Sequence, residues 1–201
     1  MARPRAFDQE HVVGAAQQVF WRRGFRASSV EELSRATGLG QSSLYNAFGS
    51  KDGLFAECLG VYLDEAQGRL VGILDDTTHD VMHRIEALLV AIASEEVERS
   101  ARGGPRGCLA VNTVAEFADD PDARATIERV GRDTRERLEL LANALRIGQA
   151  VGEVTTDISA DGLAAYVNAA IAGLRISSQG GANPETLYEI VTATMRALRP
   201  A

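Results

Sequence analysis

Ser29-Val-Glu-Glu-Leu-Ser-Arg-Ala-Thr-Gly38-Leu-Gly-Gln41-Ser-Ser-Leu-Tyr-Asn-Ala-Phe48 reads as two short helices with a tight turn between them. Ser29 and Glu32 stand at the spacing of a capping box, in which a hydroxyl and a carboxylate each satisfy the other's backbone amide. Val30 and Leu33 follow on one side, and Gly38 supplies the stop. Leu44 and Phe48 stripe the second segment, and Gly49-Ser50 ends it. The connection Ala36-Thr37-Gly38-Leu39-Gly40 has the length and turn glycine of a helix-turn-helix.

Helical spacing continues on either side. Upstream, Val12, Ala16, Val19 and Phe20 share a face, with Gly24 as terminator. Downstream, Leu54, Phe55, Cys58, Leu59 and Tyr62 stripe a helix over about 51–74, and Val81, Ile85, Leu88, Leu89 and Ile92 the next. Arg102-Gly-Gly-Pro-Arg-Gly107 is a break, after which residues 108–117 read as a short buried helix. Asp120-Pro121 then caps a long helix carrying Val130, Leu138, Leu141 and Leu145. Residues 160–176 are apolar nearly all round and rich in small side chains, which predicts burial on more than one side. Asn183-Pro184 opens the last helix, with Leu187, Ile190, Val191, Thr194 and Leu198 on its inner face. The pattern predicts an all-α protein of about nine helices. A three-helix head over residues 1–50 precedes a helical bundle over residues 51–201.

Of the 201 residues, 45% are hydrophobic and 24% charged, the balance of a soluble chain with a real core, and aromatics at 5% make that core aliphatic. The longest uncharged apolar run, Gly162 to Leu174, is shorter than the roughly 20 residues that span a bilayer. No apolar stretch follows the basic N-terminus, so neither a secretory signal nor a membrane partner is expected. In the cytoplasm that this implies, Cys58 and Cys108 stay reduced. Net charge is −7, yet residues 1–51 hold seven Lys and Arg against four Asp and Glu. A basic head on an acidic body directs the head toward phosphates.

In a helix-turn-helix that reads DNA, the second helix enters the major groove, so its outer residues should be short and polar. Gln41, Ser42, Ser43 and Asn46 fit that need, since Gln and Asn pair with adenine and Ser bonds to base or phosphate. Tyr45 and Lys51 would meet the phosphate backbone, and Ser29 would place a hydroxyl and free amides at another helix start. By spacing alone, the same segment also reads as a plain helical hairpin.

The run Gly24-Phe25-Arg26-Ala27-Ser28-Ser29-Val30-Glu31-Glu32-Leu33, continued by Ala36-Thr37-Gly38-Leu39-Gly40-Gln41-Ser42-Ser43-Leu44-Tyr45-Asn46-Ala47-Phe48-Gly49-Ser50-Lys51-Asp52-Gly53-Leu54-Phe55, resembles the DNA-binding signature of TetR-family transcriptional regulators. The likeness covers about residues 8–60, and Gly173-Leu174-Arg175 with Gly180-Gly181-Ala182 is similar to the family further on. The resemblance implies a homodimer that binds a partly palindromic double-stranded operator, usually to repress, and releases it when a small-molecule effector enters the C-terminal domain. Carried over by position, Ser29, Gln41, Ser42, Ser43, Tyr45, Asn46 and Lys51 match DNA-contacting places. Gly40 stands where many members have a Ser cap, Gln41 where Lys is frequent, and Ala47 where a bulky polar residue often sits. Fewer charges on this helix imply weaker phosphate attraction or a larger share for Arg3 and Arg5.

In the C-terminal half, small residues Ala165, Ala169, Ala172 and Gly173, with Ile190 and Thr194, mark the last two helices as a two-fold interface. Tyr62, Met82, Asn112, Phe117 and Tyr166 are large or polar residues on apolar helices, as orienting groups in an effector pocket would be. Cys108 follows Gly107 at a helix start beside Arg106, a setting that raises thiolate character and permits redox sensing. His79 and His83 have the i, i+4 spacing of paired metal ligands but read as a loop junction, and neither metal nor cofactor is expected. With no Gly-rich phosphate loop and no Gly-x-Ser-x-Gly elbow, an enzyme is not expected. The alternative is a small-molecule-binding helical protein that has lost specific DNA binding.

Overall fold

The computed structural model describes residues 7–200, so Arg3 and Arg5 lie outside the described residues. Regular structure among the described residues is helical throughout: α1 (Gln9–Arg23), α2 (Val30–Thr37), α3 (Gln41–Phe48), α4 (Lys51–Leu74), α5 (Val81–Ala101), α6 (Leu109–Phe117), α7 (Arg124–Ala150), α8 (Ala160–Gln179) and α9 (Pro184–Leu198). A 3-10 turn at Pro121–Ala123, capped by the Asp120 carboxylate and opened by Pro121, leads into α7. None of these helices is long and apolar enough to cross a membrane. Two compact units result among the described residues, one comprising residues 7–64 with Leu109–Ile127, the other Glu65–Cys108 with residues 128–200.

In the first unit, Asp8 caps α1 by accepting the Glu10 and His11 amides at 3.0 and 3.3 Å. The buried face of α1 carries Val12, Val13, Ala16, Phe20 and Trp21. Phe20 meets Phe55 edge-on, with ring centroids 5.1 Å apart, and Gln17 donates to the Cys58 carbonyl at 3.0 Å. These contacts fix α1 on the first half of α4.

The core of the second unit is aliphatic. It joins the second half of α4 to α5, α7, α8 and α9 through residues such as Leu89, Leu145, Leu163, Leu174, Leu187 and Leu198. Arg84 donates to the Leu74 carbonyl at 2.6 Å and so covers the end of α4, while Asn183 caps α9 through the Thr186 amide at 2.8 Å.

Three expectations about burial change. Helix α8 is covered on one side only: Leu163, Val167, Ile171 and Leu174 are buried, whereas Ala165, Ala169, Tyr166 (42% exposed) and Ile176 (54% exposed) face outward. Leu163, Val167, Ile171 and Leu174 turn inward together with Ala160 and Ala164, on the helix that packs against α5 and α9, and Ala165 and Ala169 are left on the far face. Thr194, assigned to the interface from the sequence, is 2% exposed and gives its hydroxyl to the Ile190 carbonyl, so it is core within its own chain. Helix α6 is likewise only half covered, burying Leu109, Thr113 and Phe117 but not Val114.

Candidate nucleic-acid interface

The turn between α2 and α3 is held from inside. Buried Thr37 donates its hydroxyl to the Leu33 carbonyl at 2.8 Å and accepts the Leu39 amide at 3.3 Å. Gly38 takes the left-handed conformation, φ 71°, that ends α2 and turns the chain. Helix α3 then begins at Gly40, which has no side chain to cap it. Leu44 is 4% exposed and anchors the helix, while Phe48 is half-buried with its ring 6.5 Å from that of Phe7. Gln41, Ser42, Ser43, Tyr45 and Asn46 all face outward, and no charged side chain stands among them.

Ser29 forms the expected capping box. Its hydroxyl accepts the Glu32 amide at 3.1 Å, and the Glu32 carboxylate accepts the Ser29 amide at 3.1 Å. That backbone hydrogen bond, with Arg23 alongside at 3.0 Å, holds the Glu32 carboxyl below the usual range. The Ser29 groups expected to be open to phosphate are thus engaged by Glu32, which adds negative charge at the same helix start. Lys51 rests its ammonium 4.4 Å from the Phe25 ring centroid, a cation–π contact that fixes its position.

Sequence reasoning missed the clamp on the loop before α2. Glu116 of α6 accepts the Phe25 and Arg26 amides at 2.8 and 2.6 Å, and Arg26 pairs with Asp120 at 2.8 Å. Arg26 holds the Asp120 carboxyl below its usual range. Phe117 lies 5.3 Å from Phe25 and 5.8 Å from Phe55. Sequence separations of about 60 to 90 residues leave no local signal for any of these contacts.

The five residues chosen for an effector pocket do not converge. Phe117 belongs to that aromatic cluster, and Tyr62 stacks edge-on against Trp21 at 4.9 Å in the first unit. Tyr166 stands on the open face of α8, Met82 packs against the second unit's core, and Asn112 is half-buried on α6. The second unit holds a cleft of about 420 Å³, counting its open mouth, and none of the five lines it. Its walls are aliphatic side chains and arginine stems, which periodicity reads as ordinary amphipathic surface.

Cys108, 8% exposed, directly precedes α6 and receives an N–H from Arg175 Nη1 at 3.4 Å, so the guanidinium beside it comes from α8 and not from the exposed Arg106. Burial pushes the Cys58 thiol up to about 12. Neither cysteine is in a disulfide among the described residues. The His79 and His83 rings stack at 4.2 Å, with Asp76 3.1 Å from His79 Nδ1. No group of three or more His, Cys, Asp or Glu able to hold a metal occurs among the described residues.

A glycine-turned pair of short helices, the second outward and polar, in a wholly helical chain defines a helix-turn-helix regulator. Residues 12–58 match the family described as bacterial regulatory proteins, tetR family, and residues 81–194 match the tetracyclin repressor-like C-terminal domain. The chain belongs to the TetR family and is a transcriptional regulator. It is similar to the repressor ComR of Escherichia coli K12, at 29% identity over 96% of this chain and 90% of that protein. The repressor BdcR of the same organism is 37% identical over 61% of this chain and 59% of its own length. Among solved structures, a cysteine-substituted CifR, a TetR-family regulator in complex with 26-base-pair operator DNA, matches with a TM-score of 0.84 and 29% identity, covering 98% of this chain and 100% of that one.

Proposed function

We propose that this protein is a DNA-binding repressor that occupies a partly palindromic operator as a homodimer and leaves it when a small-molecule effector enters the C-terminal half. The observation that carries this reading is α3, an uncapped helix start followed by an outward polar row over a buried Leu44. Gln41 and Asn46 offer the paired donor and acceptor that match adenine in the major groove. Ser42 and Ser43 bond to base or phosphate, while Tyr45, Lys51, Arg3 and Arg5 meet the backbone. The operator-bound CifR and the repressor relatives support a DNA partner. On this reading residues 1–50 form the DNA-binding domain and residues 51–201 bind effector and dimerise, in the cytoplasm, with no cofactor or catalytic step.

Two copies meet through α8 and α9. Ala165 and Ala169 are exposed, and Ala172, Gly173 and Ile190 partly so, with exposed Tyr166 and Ile176 on the same helix as the first four. Small side chains let two helices approach closely, and a self-complementary contact is the commonest dimer symmetry.

The second reading, a ligand-binding protein that no longer reads DNA, is favoured by the absence of Lys and Arg from α3. Selection of bound duplexes from a random-sequence pool, followed by affinity against salt, separates the two. A recovered palindrome whose affinity falls steeply with salt supports the repressor. No enrichment at low salt by folded protein supports the alternative.

Cys108 offers a second input. The Arg175 guanidinium gives an N–H to its sulfur at 3.4 Å, a cationic neighbour of the kind that reactive cysteines have. Its alkylation in native protein should outpace that of glutathione, with Cys58 as an inert internal reference. A rate no faster than glutathione's ends the sensor reading.

A further inference from the structure

Phe25, in the loop between α1 and α2, is held by both its backbone and its ring. Its amide and that of Arg26 donate to the Glu116 carboxylate at 2.8 and 2.6 Å. Gly24 beside it has φ +78°, and a Cβ there would stand 2.8 Å from a Glu116 oxygen and displace the carboxylate. The Phe25 ring lies among those of Phe20, Phe55 and Phe117, at centroid distances of 6.1, 5.2 and 5.3 Å. All of these residues belong to the first compact unit.

Against the same ring stands the Lys51 ammonium, 4.4 Å from the centroid. Lys51 is the only lysine of the sequence and the first residue of α4. A helix start carries partial positive charge, so α4 draws no stability from a cation there. Among the described residues, Arg23, Arg26 and Arg35 pair with carboxylates at 3.0, 2.8 and 3.0 Å, whereas Lys51 enters no ion pair. A lysine carries its charge on a flexible four-carbon stem, and a phosphate that meets a mobile ammonium must first order it. The Phe25 ring does that ordering beforehand and leaves N–H groups on the side away from it for an acceptor.

We infer that Phe25 is a positioning residue for operator binding: its ring, fixed by Glu116 and the surrounding aromatic rings, holds the Lys51 ammonium ready for a DNA phosphate. The phosphate comes from the repressor reading, while the Lys51–Phe25 geometry stands without it. Phe25 acts on DNA affinity only through Lys51.

Two measurements on the full-length protein test this. Reductive methylation with 13C-formaldehyde turns Lys51 into a charged dimethylammonium, whose methyl resonance is identified by its loss in Lys51→Arg. Ring current should place that resonance upfield of free dimethyllysine, and Phe25→Leu should return it toward the free position with circular dichroism unchanged. A wild-type resonance at the free position overturns the inference. The second measurement is a double-mutant cycle on affinity for the selected operator. Phe25→Leu should weaken binding about tenfold, the two heads of a dimer each losing about threefold. Its salt slope should fall toward that of Lys51→Gln. In Lys51→Gln protein the same change should cost less than about twofold, and Phe25→Tyr, which keeps the ring face, should bind within about twofold of wild type. Should Phe25→Leu fail to fold, the wild-type resonance and the loss in Lys51→Gln still decide. Equal losses from Phe25→Leu in both backgrounds, or affinity unchanged by Lys51→Gln, overturn the positioning role and leave the repressor intact. Folded protein that enriches no duplex overturns both.

Discussion

Asn46 and Tyr45 are neighbours on α3, yet their loss should read out differently. Asn46→Ala removes a paired donor and acceptor aimed at base edges, so a repeated duplex selection should return a relaxed sequence preference. Uniform weakening across all sequences would place Asn46 on the backbone instead. Tyr45→Phe removes only a hydroxyl from a side chain 38% exposed, and binding to every duplex should weaken by about 1 kcal/mol. No change would make Tyr45 a packing residue. Gly53 acts through its lack of a side chain: a Cβ there would overlap the Phe48 carbonyl oxygen at the end of α3. Gly53→Ala must therefore move the backbone that carries the recognition helix. A loss of about 1–3 kcal/mol in thermal or urea unfolding is expected, together with weakened operator binding. A variant of unchanged stability and affinity would mean that α3 tolerates the shift.

At the scale of the element, what was legible and what was not divides by distance along the chain. The Ser29–Glu32 box, the Asp120-Pro121 start and the Asn183-Pro184 start are exchanges between residues three or fewer apart, and each is formed. Glu116 and its two amide donors are about 90 residues apart, so no periodicity could join them. Periodicity also named the apolar residues of α8 without saying how many neighbours within the chain would cover them, which is why burial on more than one side was expected. Glu116→Ala should leave the Phe25 and Arg26 amides without their acceptor and cost about 1–3 kcal/mol in urea unfolding. Stability within a few tenths of wild type would mean that water replaces the carboxylate without loss. The nearby Arg26–Asp120 pair has a worked sign. Because Asp120's folded pKa is lowered from 3.8, its contribution is present above that value and disappears as pH falls through the folded one. Asp120→Asn should remove that part of the acid dependence, and an unchanged acid limb would mean the exposed pair adds nothing measurable.

For the whole molecule, function depends on pairing two weakly charged reading heads. The head's excess of three positive charges is small and α3 brings no cation of its own, so a single head has only modest non-specific attraction to phosphate at physiological salt. Joining two heads makes the second contact intramolecular and raises affinity by roughly 10²–10⁴ without any new interaction. The open face of α8, with Tyr166 at 42% and Ile176 at 54% exposure, is the surface through which the pairing is proposed. Ala169 is exposed there, so Ala169→Arg should leave the fold of each chain intact while placing like charges opposite each other across a two-fold axis. Sedimentation should report a monomer with unchanged helicity. Affinity for the selected palindrome should fall roughly 10²-fold or more, while affinity for a duplex bearing one half-site stays at the wild-type value. A variant that sediments as a dimer would move the interface off this face of α8. A monomer that binds the palindrome as tightly as wild type would show that one head suffices, and the symmetry argument for the operator would go with it.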